Sequence, residues 1–229
     1  DDGVAGNGSQ TSQVLALYMD LVPSALRPKA ARVLAREIAG RGMKVSTGFL
    51  GTPYLLDVLA DEGEIDTVRE LLLQTGYPSW GYMASSGATT VWERWNSDVG
   101  DIAMNSYNHY ALGAVIGFYY RRLAGIAPAA PGFRRISVRP LFIPGVGGVS
   151  ARYDACVGTI ATRVDGDDDG LAVLDLTVPP NCTADVELPG GFDWRLGGAA
   201  IPRDAGESAG TLRVQVGSGD HQFRRQEKA

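Results

Sequence analysis

Residues 127–132 read Ala-Pro-Ala-Ala-Pro-Gly, and this stretch divides the sequence into two parts with different hydrophobic periods. Before it, apolar residues recur at intervals of three and four, which is the spacing of a helix with one buried face. After it, apolar and polar residues alternate, as they do in a half-buried β-strand. The stretch itself holds two prolines, which suit neither a helix interior nor a central strand. We therefore predict a helical part over residues 1–130 and a β part over residues 131–229.

The helical part contains five apolar stripes, and each of them predicts a helix. Four stripes precede residue 77, with short polar turns between them, which is typical of antiparallel helical hairpins. Their apolar residues include Val14, Leu15 and Tyr18; Ala31, Leu34 and Ile38; Leu55, Leu56 and Leu59; and Ile65, Val68 and Leu71. The fifth predicted helix starts at Asn105, carries Ala111, Val115 and Phe118 on one side, and ends at about Gly125.

The β part consists of short alternating runs separated by turn residues. Runs around Ile136, Leu176, Val186 and Val214 alternate between apolar and polar positions. Asp-Gly and Pro-Gly pairs lie between the runs, and such pairs favour turns. Short strands at this spacing predict an antiparallel β-sandwich. Residues 165–170 (DGDDDG) have the composition of a calcium-binding loop, but they lack its closing Glu, so we interpret them as a turn between strands.

Composition narrows the class of partner. The hydrophobic content of 45% and the charged content of 21% are typical of a folded globular protein. A formal net charge of −5 disfavours a nucleic-acid partner, because phosphate binding requires a basic surface, and it agrees with a neutral ligand such as a sugar. No apolar run approaches the length of about 18 to 20 residues that crosses a bilayer, so we expect no membrane association. The first residues contain no signal-peptide pattern, and the sequence begins like a cut within a longer protein.

The cysteines and the acidic residues predict neither a metal nor a cofactor. Cys156 and Cys182 match no zinc-binding pattern, and we interpret them as two small buried side chains. One disulfide between neighbouring strands is the alternative. No group of His, Cys and carboxylate residues has metal-ligand spacing, and no phosphate-binding or dinucleotide-binding motif is present.

The chemistry lies between residues 77 and 104, where the helical period is lost and three tryptophans, Trp80, Trp92 and Trp95, are found. A segment this long without periodicity is usually functional or disordered, and its aromatic content speaks against disorder. Sugars stack their apolar faces on aromatic rings, and glycoside hydrolysis requires carboxylates, so Glu93 between two tryptophans is a candidate catalytic group. The alternative is a core tryptophan next to a surface ion pair of Glu93 with Arg94.

His109 is the second candidate site residue. If Asn105 caps the fifth helix, His109 lies in its first turn, where the helix dipole favours the neutral imidazole. A neutral imidazole can hydrogen-bond to a sugar hydroxyl. The alternative is a structural histidine that serves only the fold.

Five segments in this order resemble the α-L-rhamnosidases of glycoside hydrolase family 78: residues 46–53 (STGFLGTP), 87–95 (GATTVWERW), 108–111 (NHYA), 113–115 (GAV) and 123–126 (LAGI). The resemblance extends from about Gly8 to the C-terminus. It implies a chain of α and β domains, namely the C-terminal part of an (α/α)6 barrel followed by a β-sandwich.

The resemblance also implies roles for the candidate residues. Family members invert the sugar's anomeric configuration, and two carboxylates stand far enough apart to admit a water. The glutamate of the Thr-Thr-x-Trp-Glu motif, the general base for that water, corresponds to Glu93. The histidine of the Asn-His-Tyr-Ala motif, which contacts the sugar, corresponds to His109. Trp92, Trp95 and Trp80 are then expected to form walls of the pocket.

The chain departs from the family in its extent. An (α/α)6 barrel has twelve helices, whereas five are predicted here, and no carboxylate of this chain matches the family's general acid, which lies upstream. We expect the upstream part of the same enzyme, or a partner chain, to cover the exposed helix faces. This chain alone is then predicted to be inactive. Two other interpretations remain: an (α/α)6 hydrolase of another sugar, and a non-catalytic sugar-binding or structural remnant. The family is bacterial in type, and the sequence leaves open whether this protein is cytoplasmic or secreted.

Overall fold

A computed structural model describes residues 2–99, 106–202, 207–208 and 210–226. The chain forms two compact units, Asp1–Ile116 and Gly117–Ala229. The fold class that the sequence predicts, helical hairpins followed by β-sheets, is confirmed. The boundary predicted at residues 130 and 131 follows from the change of hydrophobic period alone, and it stays a prediction.

The first unit is helical. Its α-helices within the described residues are α1 (Gln10–Tyr18), α2 (Arg27–Gly40), α3 (Thr52–Asp61), α4 (Ile65–Leu73), α5 (Trp80–Ser85) and α6 (Tyr110–Gly113), with a 3-10 turn at Ser24–Leu26. The stripes predicted for α2, α3 and α4 form its core, because Ala31, Leu34, Ile38, Leu55, Leu59, Val68 and Leu71 are almost completely buried. The stripe predicted for α1 is wrong in part: Val14 is buried, but Tyr18 is 48% exposed, and Leu17 lies in the core instead. Helix α1 packs on α2 and α3, and α3 packs on α4.

Two further predictions about the helical part are wrong. The segment from Tyr77 contains helix α5, whose six residues are too few to show a helical period. Ser79 begins this helix, and its hydroxyl accepts a hydrogen bond from the backbone N–H of Tyr82. The helix expected from Asn105 begins instead at Tyr110, with His109 as its N-cap rather than in its first turn. Asn105 itself lies outside the described residues.

The chain continues into α7 (Val115–Phe118), a π-helical turn (Tyr119–Leu123) and the β unit. Its strands are β1 (Ile126–Pro128), β2 (Arg135–Val138), β3 (Val149–Ala155), β4 (Gly158–Asp167), β5 (Gly170–Val178), β6 (Thr183–Pro189), β7 (Trp194–Leu196), β8 (Ala199–Ala200), β9 (Glu207–Ser208), β10 (Thr211–Val216) and β11 (Gly219–Arg225). They form a five-stranded sheet ordered β1-β2-β6-β10-β9 and a six-stranded sheet ordered β3-β4-β5-β11-β7-β8.

Residues from both sheets share one hydrophobic core, as a sandwich requires. The largest buried side chains of that core are Trp194 and Phe223 from the six-stranded sheet and Ile136 from the five-stranded sheet. The expectation of a purely antiparallel sandwich needs one correction, because β2 and β6 pair in parallel, with Arg135 opposite Thr183 and Val138 opposite Val186. The alternation of apolar and polar residues in these strands cannot reveal the parallel pairing, because side chains alternate with a period of two in parallel and antiparallel strands alike.

Smaller predictions for the β part are settled as well. Cys182 is buried as expected, but Cys156 is exposed, because it lies in the tight turn between β3 and β4. Both cysteines are free thiols, so the alternative of a disulfide is wrong. Residues 165–170 do connect two strands, although β4 extends to Asp167 and only Asp168 and Asp169 form the turn.

The described part of the chain has no helix with the combined length and apolarity that crossing a bilayer requires. Over the same residues, no group of three or more His, Cys, Asp or Glu side chains is arranged to hold a metal ion.

Candidate functional site

Backbone hydrogen bonds join the Glu93 segment to the His109 segment. The N–H of Glu93 donates to the carbonyl of Ser106 at 2.9 Å, and the N–H of His109 donates to the carbonyl of Val91 at 2.9 Å. The Thr90 hydroxyl adds a bond to the carbonyl of Tyr107. Residues 90–93 and 106–109 therefore lie side by side, and the two sequence motifs that hold the candidate residues form one site.

The Glu93 carboxylate is held at one oxygen. The backbone N–H of Ser106 donates to Glu93 Oε2 at 2.8 Å, and the side chain is partly buried. Among the described residues, the other oxygen, Oε1, has no hydrogen-bond partner. A carboxylate in this state is fixed in orientation and keeps one oxygen that can accept a proton. Among the described residues no ion pair joins Glu93 to Arg94, so the alternative interpretation of a surface ion pair between them has no support there.

His109 is oriented by its cap position. Its Nδ1 accepts a hydrogen bond from the backbone N–H of Ala111 at 3.2 Å. An accepting Nδ1 carries no proton, so in the neutral imidazole the proton is on Nε2, which makes that nitrogen a hydrogen-bond donor. The structural role and the proposed sugar-binding role thus use different nitrogens of one ring, and both can hold at once.

Two further aromatic rings flank the imidazole. Phe49 stacks on His109 with ring centroids 4.7 Å apart, and Tyr110 stacks on the same imidazole with ring centroids 5.1 Å apart. Phe49 is 47% exposed and Tyr110 is 83% exposed. Sequence reasoning assigned no role to either residue. The available signal was the segment 46–53, which carries part of the family resemblance and contains Phe49.

The segment that carries Phe49 is anchored by buried polar side chains. The fully buried Gln10 donates to the carbonyl of Lys44 at 2.9 Å and accepts from the backbone N–H of Ser46 at 2.8 Å. The buried hydroxyls of Thr47 and Thr52 are 2.8 Å apart and hydrogen-bonded. Because these bonds would be lost if the loop moved, Phe49 is held against His109 by a fixed backbone.

Trp80 and Trp95 form an edge-to-face pair beside the site. Their ring centroids are 5.2 Å apart with an interplanar angle of 80°. The Trp80 indole N–H donates to the carbonyl of Leu112 at 2.9 Å, and that of Trp95 points at the carbonyl of Thr47 at 3.5 Å. Both rings are partly buried, so each has surface left with which a sugar could make contact.

Trp92 lies elsewhere in the packing. It is 5% exposed and forms a small core with Met83 and Leu112, and it meets the ring of Tyr107 edge-on. The predicted role of Trp92 as a pocket wall therefore has little exposed ring surface to support it. The burial of Trp92 instead fixes the backbone next to Glu93.

Hydrogen bonds also hold the chain after Trp95. The hydroxyl of Tyr107 donates to the carbonyl of Ser97 at 2.9 Å, and the hydroxyl of Tyr82 donates to Asp98 Oδ2 at 2.7 Å. The bond to the Asp98 carboxylate raises the pKa of Tyr82, so that this phenol stays protonated and continues to donate.

Two family models match the chain in sequence. The model described as the bacterial alpha-L-rhamnosidase 6 hairpin glycosidase domain matches residues 1–123. The model described as the bacterial alpha-L-rhamnosidase C-terminal domain matches residues 125–197. The chain belongs to the bacterial α-L-rhamnosidase family. Glu93 and His109 both lie within the matched part of the glycosidase domain.

Individual rhamnosidases agree with this assignment. The chain is 41% identical over 232 aligned residues to an alpha-L-rhamnosidase of Streptomyces avermitilis, and the alignment covers 97% of this chain and 22% of that protein. It is 40% identical to an alpha-L-rhamnosidase of Formosa agariphila, with 79% of this chain and 20% of that protein covered. The chain thus spans about a fifth of the length of the curated relatives that it matches.

Solved structures show the same relation. The crystal structure of Streptomyces avermitilis alpha-L-rhamnosidase complexed with L-rhamnose superposes with a TM-score of 0.84 at 39% identity, covering 96% of this chain and 22% of that one. Both units of the chain therefore have counterparts in one solved rhamnosidase.

Proposed function

We propose that this chain supplies the general base of an inverting glycoside hydrolase that releases terminal α-L-rhamnose from glycosides. The observation that carries the proposal is the state of Glu93: its Oε2 is fixed by the Ser106 N–H, and within the described part of the chain its Oε1 has no hydrogen-bond partner and can accept a proton. The relatives named above are α-L-rhamnosidases, and one of them has been solved with L-rhamnose, which supports this sugar as the substrate.

The proposed reaction is a single displacement at the anomeric carbon. Glu93 Oε1 takes a proton from a water, whose oxygen forms a new bond to C1 from the face opposite the leaving group. The bond from C1 to the glycosidic oxygen breaks, and that oxygen receives a proton from a general acid. The two carboxyl groups of an inverting enzyme are about 6.5 to 9.5 Å apart, which leaves room for the water.

The neighbouring side chains position the sugar in this proposal. His109 Nε2–H donates to a hydroxyl, and its ring is kept in place by Phe49 and Tyr110. Trp80 and Trp95 form walls of the pocket, because part of each ring is exposed. Trp92 acts from the core by fixing the backbone that carries Glu93.

The general acid is the missing component. No carboxylate of this chain is assigned that role, and we propose that the upstream part of the same enzyme, or a partner chain, provides it together with the remaining helices of the barrel. The chain by itself then binds or positions rhamnose without turning over a rhamnoside. We further propose that residues 1–130 form the barrel part and residues 131–229 the β-sandwich domain.

The test is hydrolysis of 4-nitrophenyl α-L-rhamnopyranoside by the chain alone and by the chain together with its upstream segment. We expect activity only in the second case, and we expect Glu93→Gln to lower kcat by about 10² to 10⁴, the range of a lost general base. Glutamine keeps an oxygen for the Ser106 N–H, so thermal unfolding should be unchanged. Activity of the lone chain would contradict the missing acid. Binding of rhamnose without turnover in either form would favour a sugar-binding remnant, and turnover of a different glycoside would favour another (α/α)6 hydrolase.

Azide provides a control specific to the base. In Glu93→Ala, the removed side chain leaves space for this small anion, which needs no deprotonation before it attacks C1. We expect azide to restore turnover of the complete enzyme and to form a glycosyl azide with inverted configuration. Retained configuration in the product would contradict the single displacement.

A further inference from the structure

The β unit contains a cavity of about 630 Å³ that is open to solvent. Residues 128–133 line one wall and residues 153–156 line the other. The first wall begins at the end of β1 and follows the connection to β2, and the second consists of the end of β3 and the first residue of the turn after it. None of these residues contributes to the site around Glu93.

Two aromatic rings meet in this cavity. Phe133 and Tyr153 have ring centroids 5.0 Å apart and an interplanar angle of 42°, and Tyr153 is 41% exposed. The tilted pair leaves part of its aromatic surface exposed to solvent. Tyr120 makes an edge contact with Tyr153, with ring centroids 6.2 Å apart.

The backbone that places Phe133 is unusual for its residue type. Gly132 and Phe133 both adopt left-handed conformations, with φ of 68° and 61°. Glycine accepts such an angle readily, but a bulky side chain there is a genuine outlier. Residues held in this way are enriched at ligand-binding sites, where the surrounding fold imposes the conformation.

The edge of β3 supplies polar groups. The hydroxyl of Tyr120 donates to the carbonyl of Arg152 at 3.1 Å, so this carbonyl points away from β4. Backbone groups two residues apart in a strand point the same way, and the N–H and C=O of Asp154 therefore also point outward, into the wall of the cavity. They can bond to hydroxyl groups of a ligand.

The lining identifies the kind of ligand. It contains no lysine or arginine, so it offers no counter-charge to a phosphate or a carboxylate. An extended peptide would need consecutive free groups along the strand edge, but Tyr120 already occupies the carbonyl of Arg152. An exposed aromatic ring next to a few hydrogen-bonding groups is what a neutral sugar ring requires, and the volume is in the range of small-ligand sites.

We propose that this cavity is a second, non-catalytic site that binds a neutral pyranose on the rings of Tyr153 and Phe133. The β unit would then bind a glycan independently of the site at Glu93. The proposal does not depend on the catalytic role of Glu93.

The exposed thiol of Cys156 provides the measurement. Its Sγ is 3.4 Å from the carbonyl of Gly132 in the wall of the cavity, whereas Cys182 is 3% exposed and serves as an internal reference. L-rhamnose is added to the chain, and alkylation of each cysteine by iodoacetamide is followed by mass spectrometry. Sugar at about ten times its Kd should slow the alkylation of Cys156 about tenfold, because only the unliganded fraction reacts. Sorbitol, an acyclic polyol, should have no effect.

Variants distinguish the cavity from other sites. We expect Tyr153→Ala and Tyr153→Leu to abolish the protection, Tyr153→Phe to retain it, and Glu93→Gln to leave it unchanged. Leucine keeps apolar packing in case alanine unfolds the protein. The proposal is wrong if rhamnose at about 100 mM, far beyond a millimolar Kd, gives no protection. It is also wrong if sorbitol protects Cys156 as well as rhamnose does, or if rhamnose still protects Cys156 in Tyr153→Leu. Protection of Cys156 that rises with protein concentration in the absence of sugar would indicate that a second copy of the chain occupies the cavity, and it would contradict the proposal as well.

Discussion

Single residues in the site around Glu93 serve the fold and the proposed chemistry with different atoms. Glu93 uses Oε2 for the Ser106 N–H, and His109 uses Nδ1 for the Ala111 N–H. In each case the structural bond sets the direction of the atom that is left, Oε1 or Nε2. The two roles can therefore be separated by substitutions that replace one atom and keep the other.

His109 offers such a separation. His109→Ala removes both the cap and the Nε2 donor, and we expect it to lower the free energy of unfolding by about 1 kcal/mol, the usual cost of a lost N-cap. His109→Asn restores an acceptor for the Ala111 N–H and should be the more stable of the two. Both variants should weaken rhamnose binding in the complete enzyme.

Urea unfolding followed by tryptophan fluorescence compares the stabilities of these two variants. Equal stability of the alanine and asparagine variants would show that the hydrogen bond to Ala111 contributes nothing. Unchanged sugar binding in both would remove His109 from the proposed pocket.

At the scale of single elements, helix α5 presents Trp80 at the site and is held close to the chain that leaves α4. A Cβ on Gly81 would lie 2.4 Å from the carbonyl oxygen of Gln74, and this neighbour is backbone that cannot rotate away. The absence of a side chain at residue 81 is thus a requirement of packing, which no local pattern in the sequence reveals.

Gly81→Ala should destabilise the helical unit by about 1 to 3 kcal/mol, the cost of overpacking. Gly40→Ala is the matched control, because Gly40 ends α2 with open space around it, and alanine there should be neutral or stabilise by up to about 1 kcal/mol. Differential scanning calorimetry measures both. A Gly81→Ala variant as stable as the Gly40→Ala variant would contradict the close approach of α5 to Gln74.

At the scale of the whole molecule, the position of the domain boundary can be tested. The hydrophobic period changes at residue 130, yet Ala124 and Ile126 are buried in the core of the β unit, and β1 pairs with β2. A chain of residues 131–229 lacks these contributions, whereas a chain of residues 117–229 retains them.

We expect the longer piece to be more stable by about 3 kcal/mol or more, since truncation of one buried isoleucine alone costs about 2 to 5 kcal/mol. Urea unfolding of the two pieces measures the difference. Equal stability would support the boundary predicted from the hydrophobic period, and it would assign residues 117–130 to the helical part.

The sequence by itself determined the helical and β parts, most of the helices, and the pairing of Glu93 with His109 as candidates. These features depend on periodicity, turn residues and short motifs, which are local properties of the chain. Only the tertiary structure decided that β2 and β6 are parallel, that Trp92 is buried, and that Phe49 lies on His109. Contacts of this kind join residues far apart in sequence, and they depend on which surfaces pack together rather than on the neighbours of each residue. The cavity between residues 128–133 and 153–156 belongs to the same class, because its two walls are separate in sequence and only the fold of the β unit brings them together.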